Sequence, residues 1–401
     1  MRRRHALATI GSLTLGGCLG LESPGQGEGN ESGGSTESDL AVDGEAETDE
    51  LGGEDHENEI ELDRAWTTAF DREYGGRLLD ETIYVAGAVD GDRGMVAVNP
   101  VDGEIEWTCD FGDVPYSLYL GAGPDLIYAG TSQQDEIRAI DRRTGTVEAS
   151  IELGETGGDG AVHDGTFVVG TADPDMDQVL AGLDARTLTE RWRKREEFAG
   201  FDGAVVANDV VVASYQNGEL TGYDPADGTE LWATEISIAG HGYGPFVDGE
   251  GRVFAVDSER RSITRVDSTS GERRWTIDFE TDSGELPPVG PPAFDGDDGW
   301  IVGGRNVIAF ESDSGERRWS VEIDGEVTSP VAKTSDARWV HAVEGDSESG
   351  RLFGFDPDDG ALRYAGDATA DDSDYELFGL GDRLAVLENG TLVGYDVTSV
   401  E

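Results

Sequence analysis

The chain is predicted to be all-β: an eight-bladed β-propeller of four-stranded blades, closed by pairing of its N- and C-terminal segments. Three observations predict it. A tryptophan-ended motif returns every 40 to 45 residues, the stretches before it are short Val/Ile/Tyr-rich strands bounded by Asp and Gly, and the two ends of the chain hold complementary fragments of one repeat. A period of this length with four strands per repeat is the signature of propeller blades around a central axis.

The repeat is clearest from Met95 to Trp107, Leu220 to Trp232, Ile263 to Trp275 and Val307 to Trp319, with weaker copies from Ile137 to Ala149, Leu180 to Trp192 and Leu352 to Tyr364. An eighth begins at Leu392 and runs out at Glu401 before its aromatic, whereas Trp66 stands 41 residues ahead of Trp107 with no repeat start before it. Joining these halves makes one blade and removes a sheet edge. Six of the eight tryptophans, Trp66, Trp107, Trp192, Trp232, Trp275 and Trp319, thus share one repeat position. The turn before each is explicit in Asp224-Pro225-Ala226-Asp227-Gly228. Asp caps it, Pro presets φ, and Gly supplies a positive φ. Runs such as Val210-Val211-Val212-Ala213-Ser214 read as strands, and no segment keeps a helical period.

This motif, Ala/Gly-x-Asp-x-x-x-Gly-x-x-x-Trp, resembles the pyrroloquinoline-quinone (PQQ) type propeller repeat over residues 61–401. The resemblance implies that each Trp ends an outer strand and docks between neighbouring blades, so that Ala149 should leave a looser contact. The family includes quinoprotein dehydrogenases, which hold their quinone beneath a disulfide of adjacent cysteines beside a calcium ion. This chain has only Cys18 and Cys109, so the resemblance implies no catalytic or cofactor-binding residue here. A second branch holds envelope lipoproteins that act as scaffolds in assembling outer-membrane proteins, and the outline of this chain is nearer to that branch.

The N-terminus reads as an address. Arg2, Arg3 and Arg4 precede an apolar run from Ala6 to Leu15 that is too short to span a bilayer, then Gly16-Gly17-Cys18. Arg3 and Arg4 point to twin-arginine export, with Sec as the other route. Leu15 to Cys18 resembles a lipobox, so residues 1–17 are expected to be a signal peptide and Cys18 the lipidated residue. Residues 18–60, rich in Gly, Ser, Glu and Asp, are expected to be an acidic disordered tether. The propeller is expected from 61 to 401.

The formal charge is −56, from 85 acidic and 29 basic residues, with Lys194 and Lys333 the only lysines. Such a surface repels itself at ordinary salt, but at about 1 M salt the Debye length falls to about 3 Å. The composition resembles that of haloarchaeal proteins. It excludes nucleic acid as a partner, for want of cations to meet phosphates.

Few residues look chemical. Asp173, Asp175 and Asp177 alternate in a loop as calcium ligands do, although Gln178 stands where the sharp-turn Gly belongs. Asp295-Gly296-Asp297-Asp298-Gly299 and Asp371-Asp372-Ser373-Asp374 read as solvated turns, and His163, His241 and His341 are scattered without metal spacing. Cys109 reads as a buried apolar residue. The expectation is a non-enzymatic, monomeric, exported lipoprotein on the outer face of the cell membrane, anchored by lipid on Cys18, that uses a propeller face to bind a protein or another ligand. The alternatives are a quinone- or metal-dependent redox protein and the substrate-binding lipoprotein of a transporter.

Overall fold

The computed structural model describes residues 48–50, 62–112, 117–131, 136–154, 156–172, 178–196, 200–236, 244–257, 261–279, 290–323, 325–343, 349–371 and 376–397. Among the described residues every regular element is a strand. Unit one is the antiparallel run Arg72–Leu79, Thr82–Val89, Asp92–Val98 and Ile105–Asp110, its strands adjacent in sequence order. The same arrangement recurs in residues 117–152 (unit two), 156–196 (three), 201–235 (four), 246–278 (five) and 293–322 (six). Residues 326–371 form unit seven, in which Ala332–Lys333 is a short additional strand. Units three and four run on as one eight-stranded sheet through a single parallel bridge, Asp159 opposite Gly203. The terminal unit takes three strands from residues 376–396 and its fourth from Asp63–Ala69, which pairs antiparallel with Thr391–Asp396.

Position within a unit explains the sequence of each strand. Second and third strands are covered on both faces by neighbouring sheets, so they need apolar side chains on both. All six residues of Val210–Tyr215 are buried. Fourth strands lie outermost and alternate: in Ile105–Asp110 only Trp107 and Cys109 turn inward. The apolar residues do not form one core. They form separate clusters, each shared by consecutive units, such as Trp300, Val302 and Trp319 of unit six with Val340, Phe353 and Phe355 of unit seven. One cluster joins the terminal unit, through Phe70, Phe378 and Leu387, to Ile83, Val85 and Val96 of unit one.

A clasp between units accompanies six of these clusters. The Asp-x-x-x-Gly turn links third and fourth strands and is closed by the Gly N–H donating to the Asp carbonyl four residues back, as from Gly228 to Asp224 at 2.9 Å. The Asp carboxylate meanwhile accepts from the N–H two residues on, Ala226 in this turn at 2.8 Å. Six of these turns are met by the tryptophan of the preceding unit. The indole N–H donates to a turn carbonyl: Trp66 to Pro100 at 3.2 Å, Trp107 to Arg142 at 2.9 Å, Trp192 to Pro225 at 2.9 Å, Trp232 to Ser268 at 2.8 Å, Trp275 to Asp313 at 3.0 Å and Trp319 to Pro357 at 3.0 Å. The ring lies on the turn glycine. At Gly228, whose φ is +72°, a Cβ would stand 2.6 Å from Trp192, so both the backbone and the indole require glycine.

The expected looseness at Ala149 is not found, because the turn it faces has changed with it. The next turn reads Asp184-Ala185-Arg186-Thr187-Leu188, with Leu188 in the glycine position at φ +55° and 1 % exposed. Leu188 fills the space of the missing indole, and Ala149 packs against the same cluster. The hydrogen bond is replaced as well, since the Tyr128 hydroxyl donates to the Ala185 carbonyl at 2.7 Å. Ala149 and Leu188 exchange bulk for the usual Trp and Gly.

Two outer features complete the fold. Thr48–Glu50, within the segment read as a tether, is a strand lying parallel to Arg317–Glu322, so that segment is not wholly without structure; residues 1–47 and 51–61 lie outside the described residues. Arginines lace the wall: Arg273 donates to the Glu235 carbonyl, Arg317 to the Asp278 carbonyl and Arg383 to the Val101 carbonyl, each across a unit boundary.

The exchange at Ala149 makes a coupled prediction. Ala149→Trp alone drives an indole into Leu188 and should lower stability by about 1–3 kcal/mol. Leu188→Gly alone opens a cavity and should cost about 2–5 kcal/mol. The double variant should recover more than 1 kcal/mol relative to the sum, read by thermal unfolding of all four proteins in molar salt; simple additivity would refute the exchange.

Candidate functional site

Antiparallel units of four strands put connections 1–2 and 3–4 at one end and connections 2–3 and 4–1 at the other. The clasp turns are all 3–4 connections, so they occupy one end of the assembly, and they are nearly uniform in length because the preceding unit grips them. The opposite end has no such constraint. Its 4–1 connections include residues 236–245, between Glu235 and Phe246, and residues 279–292, between Asp278 and Ala293. They contrast with Phe70-Asp71 between Ala69 and Arg72. Variation in length is thus concentrated at this second end, where loops on a rigid frame carry recognition.

The first strands of successive units lie against one another and bring charged groups together. The Arg77 guanidinium of unit one meets the Asp159 carboxylate of unit three at 3.4 Å, passing over unit two, with both side chains about half exposed. Glu376 of the terminal unit accepts from the Gly76 N–H at 2.5 Å. Asp202, one residue before the bridge to Asp159, is largely buried, and burial pushes its carboxyl up to about 7. These residues were not singled out from the sequence. The signal was their setting, Gly75-Gly76-Arg77, Gly157-Gly158-Asp159-Gly160 and Asp202-Gly203, where bare backbone lets strands approach. Gly158 shows the need directly: a Cβ there would stand 2.4 Å from the Asp202 carbonyl oxygen.

The turn at Asp295–Gly299 is exposed at Asp295, Gly296 and Asp297, as expected, and its carboxylates are also ion-paired. Asp295 pairs with Lys333 at 3.3 Å and with Arg338 at 3.3 Å, Asp297 with Arg252 at 2.8 Å, and Asp298 with Arg318 at 2.5 Å. Through them the turn ties unit six to units five and seven. Arg338 is 3 % exposed and lies 3.9 Å over the Trp300 ring, and desolvation lowers its pKa. Arg252 also binds the buried Asp248 at 2.5 Å.

The other predicted residues fall as follows. Arg3, Arg4, Cys18, His241 and the loop of Asp173, Asp175 and Asp177 lie outside the described residues, as do Asp372 and Asp374. His163 faces Asp209 at 3.2 Å. His341 is fully buried, its Nδ1 is 2.6 Å from the Thr328 hydroxyl, and burial brings its pKa down to about 4. It is neutral and structural. Cys109 is buried between units one and two, which pushes its thiol up to about 11. Among the described residues no three His, Cys, Asp or Glu side chains are grouped to hold a metal ion.

Compared with known proteins, the chain matches the model of a PQQ-repeat family described as outer membrane protein assembly factor BamB, over residues 91–276 and 259–399. No curated protein sequence matches it. Among solved structures it is similar to BamB from Moraxella catarrhalis, with a TM-score of 0.60 and 15 % identity over 85 % of this chain and 99 % of that one. It is similar also to the computationally designed Ika8 protein, with a TM-score of 0.62 and 14 % identity over 83 % and 99 %. A third is the quinohemoprotein alcohol dehydrogenase of Comamonas testosteroni, with a TM-score of 0.60 and 12 % identity over 85 % of this chain and 77 % of that one. At these identities the likeness establishes a shared propeller fold.

Asp202 makes the inner strands sensitive to pH. Its folded pKa of about 7 lies above the ordinary value of 3.8, so the folded state holds its proton more tightly. That contribution to stability is complete below about pH 4 and is lost as pH rises through 7. Asp202→Asn should therefore stabilise the protein at pH 8 relative to the parent and flatten the change between pH 5 and 8, measured by denaturant unfolding in molar salt. An unchanged pH slope would refute the assignment.

Proposed function

The chain belongs to the PQQ-repeat family described as outer membrane protein assembly factor BamB, and from that premise we propose that it is a non-enzymatic scaffold: eight units closed in a ring, displaying one loop-bearing face to a partner protein. The observation that carries this reading is the asymmetry of the two ends. Uniform turns at one end are consumed by the tryptophan clasps, and the long 4–1 connections, residues 236–245 and 279–292, start and finish at strand ends on the other. A rigid ring with one variable face suits binding, because little order has to be created when the partner arrives.

The quinone alternative, raised by the alcohol dehydrogenase neighbour, fits these residues poorly. A carboxylate-bearing quinone needs cations, whereas the first strands bring Asp159, Asp202 and Glu376 together and the guanidinium of Arg77 is engaged by Asp159. Cys109 is packed between two units and has no adjacent cysteine.

The address read from the first residues completes the proposal. Twin-arginine export through Arg3 and Arg4, lipid on Cys18 and an acidic tether would hold the ring at the outer face of the cell membrane, in a salt-rich environment that screens its charge.

Two experiments test the reading. Photo-cross-linkers placed within residues 280–289 on intact cells should capture a discrete protein, and the same probes at the clasp turn residues Asp102 or Asp227 should not. Capture from the clasp end alone, or a stoichiometric quinone chromophore in protein purified in molar salt, would overturn it. Cys18→Ser should move the protein from the membrane to the soluble exported fraction; unchanged membrane retention would remove the lipid anchor from the reading.

A further inference from the structure

Each unit ends in an outer strand with one row of backbone groups facing away from its sheet, and such a row is a template for another strand. In unit six the template is filled. Thr48–Glu50 runs parallel to the outer strand Arg317–Glu322, with Thr48 opposite Ser320, Asp49 opposite Val321 and Glu50 opposite Glu322. The other side of Arg317–Glu322 is bonded to Asn306–Glu311, so the sheet becomes five-stranded.

The filling strand comes from the chain's own N-proximal part. Its next described strand, Asp63–Ala69, belongs to the terminal unit, two units further round in sequence order. Between Glu50 and Asp63 the chain has length for roughly 45 Å when extended. Charge also agrees. Residues 43–55 hold Asp43, Glu45, Glu47, Asp49, Glu50, Glu54 and Asp55 and no cation, and the receiving strand carries Arg317 and Arg318, which also bind the Asp278 carbonyl and Asp298. At molar salt that attraction is screened to about 3 Å, which leaves the main-chain ladder as the principal hold.

We propose that residues 48–50 are an edge-strand latch, and that the outer edge of unit six is the docking site for this N-proximal segment. The latch has two consequences. It covers one free sheet edge, which removes a route to pairing between molecules. It also makes the chain before Thr48 leave from the wall of unit six instead of from the terminal unit. If Cys18 is the membrane anchor proposed above, the latch then sets which part of the ring faces the membrane. The ladder itself does not depend on that anchor, so the two readings fail separately.

The test is residue-resolved hydrogen exchange on the full chain carrying Cys18→Ser, in molar salt. Successive N–H groups of a strand point to opposite sides, so of Asp49→Pro and Glu50→Pro at least one removes an N–H aimed at the edge. In that variant the outward amides within Ser320–Glu322 should exchange at least tenfold faster, while the amides bonded to Asn306–Glu311 keep their rates and report an intact sheet. Asp49→Ala should leave the protection in place. Equal exchange in the parent and both proline variants, or loss of protection in Asp49→Ala as large as in the prolines, would overturn the latch.

Discussion

The structure depends on one contact, a tryptophan indole that lies on a glycine turn of the next unit and donates its N–H to a carbonyl of that turn. The contact needs three things at once. The turn must reverse within five residues, which it achieves through the Gly N–H donating to the Asp carbonyl and the Asp carboxylate accepting from the N–H two residues on. Its last residue must adopt a positive φ with no side chain above it, as Gly228 does at +72°. The tryptophan must end the outer strand of the unit before. No unit has a core of its own, because its apolar residues are shared with its neighbours. The clasp therefore sets the spacing at which those shared clusters can pack, and it does so with groups that would otherwise lose water for no return.

The exchange at Ala149 shows that the constraint is volume and hydrogen bonding, not the identity of tryptophan. Leu188 supplies from the turn the bulk that the strand has given up, at the cost of a non-glycine residue in the left-handed region at φ +55°. Tyr128 supplies the donor. From one repeat aligned on another, Ala149 reads as a defect. The compensation lies in the following repeat, 39 residues on, and in a strand of its own unit. Periodicity records what each repeat keeps and says little about a pair of repeats that depart together.

The same distinction separates what was legible in the sequence from what was not. The strand class, the turn chemistry and the tryptophan register followed from local pattern, since each depends on residues a few positions apart, and the pairing of Asp63–Ala69 with Thr391–Asp396 followed from the two incomplete ends. The acidic turn at Asp295–Gly299 is exposed as expected, but its ion pairs were not legible, because its partners Arg252, Lys333 and Arg338 come from the units before and after. The inner-strand groups Arg77, Asp159, Asp202 and Glu376 escaped notice for the same reason. They are far apart in sequence and meet only because the first strands come together.

These constraints together decide where recognition can reside. A boundary that consumes the aromatic, the turn backbone and many of the arginines leaves little freedom at the clasp end; substitution there acts on the frame before it acts on a partner. The inner strands are similarly committed, since Gly121, Gly158 and Gly160 admit no added side chain without moving backbone, as at Gly158 against Asp202. Freedom remains in the connections from fourth to first strands, whose ends are fixed by two rigid units while their lengths are not. Lengthening such a loop costs little, because closure entropy grows only with the logarithm of its length. On the scaffold reading, a repeat fold of this kind separates stability, carried by the clasped end, from binding, carried by the end whose loops vary in length.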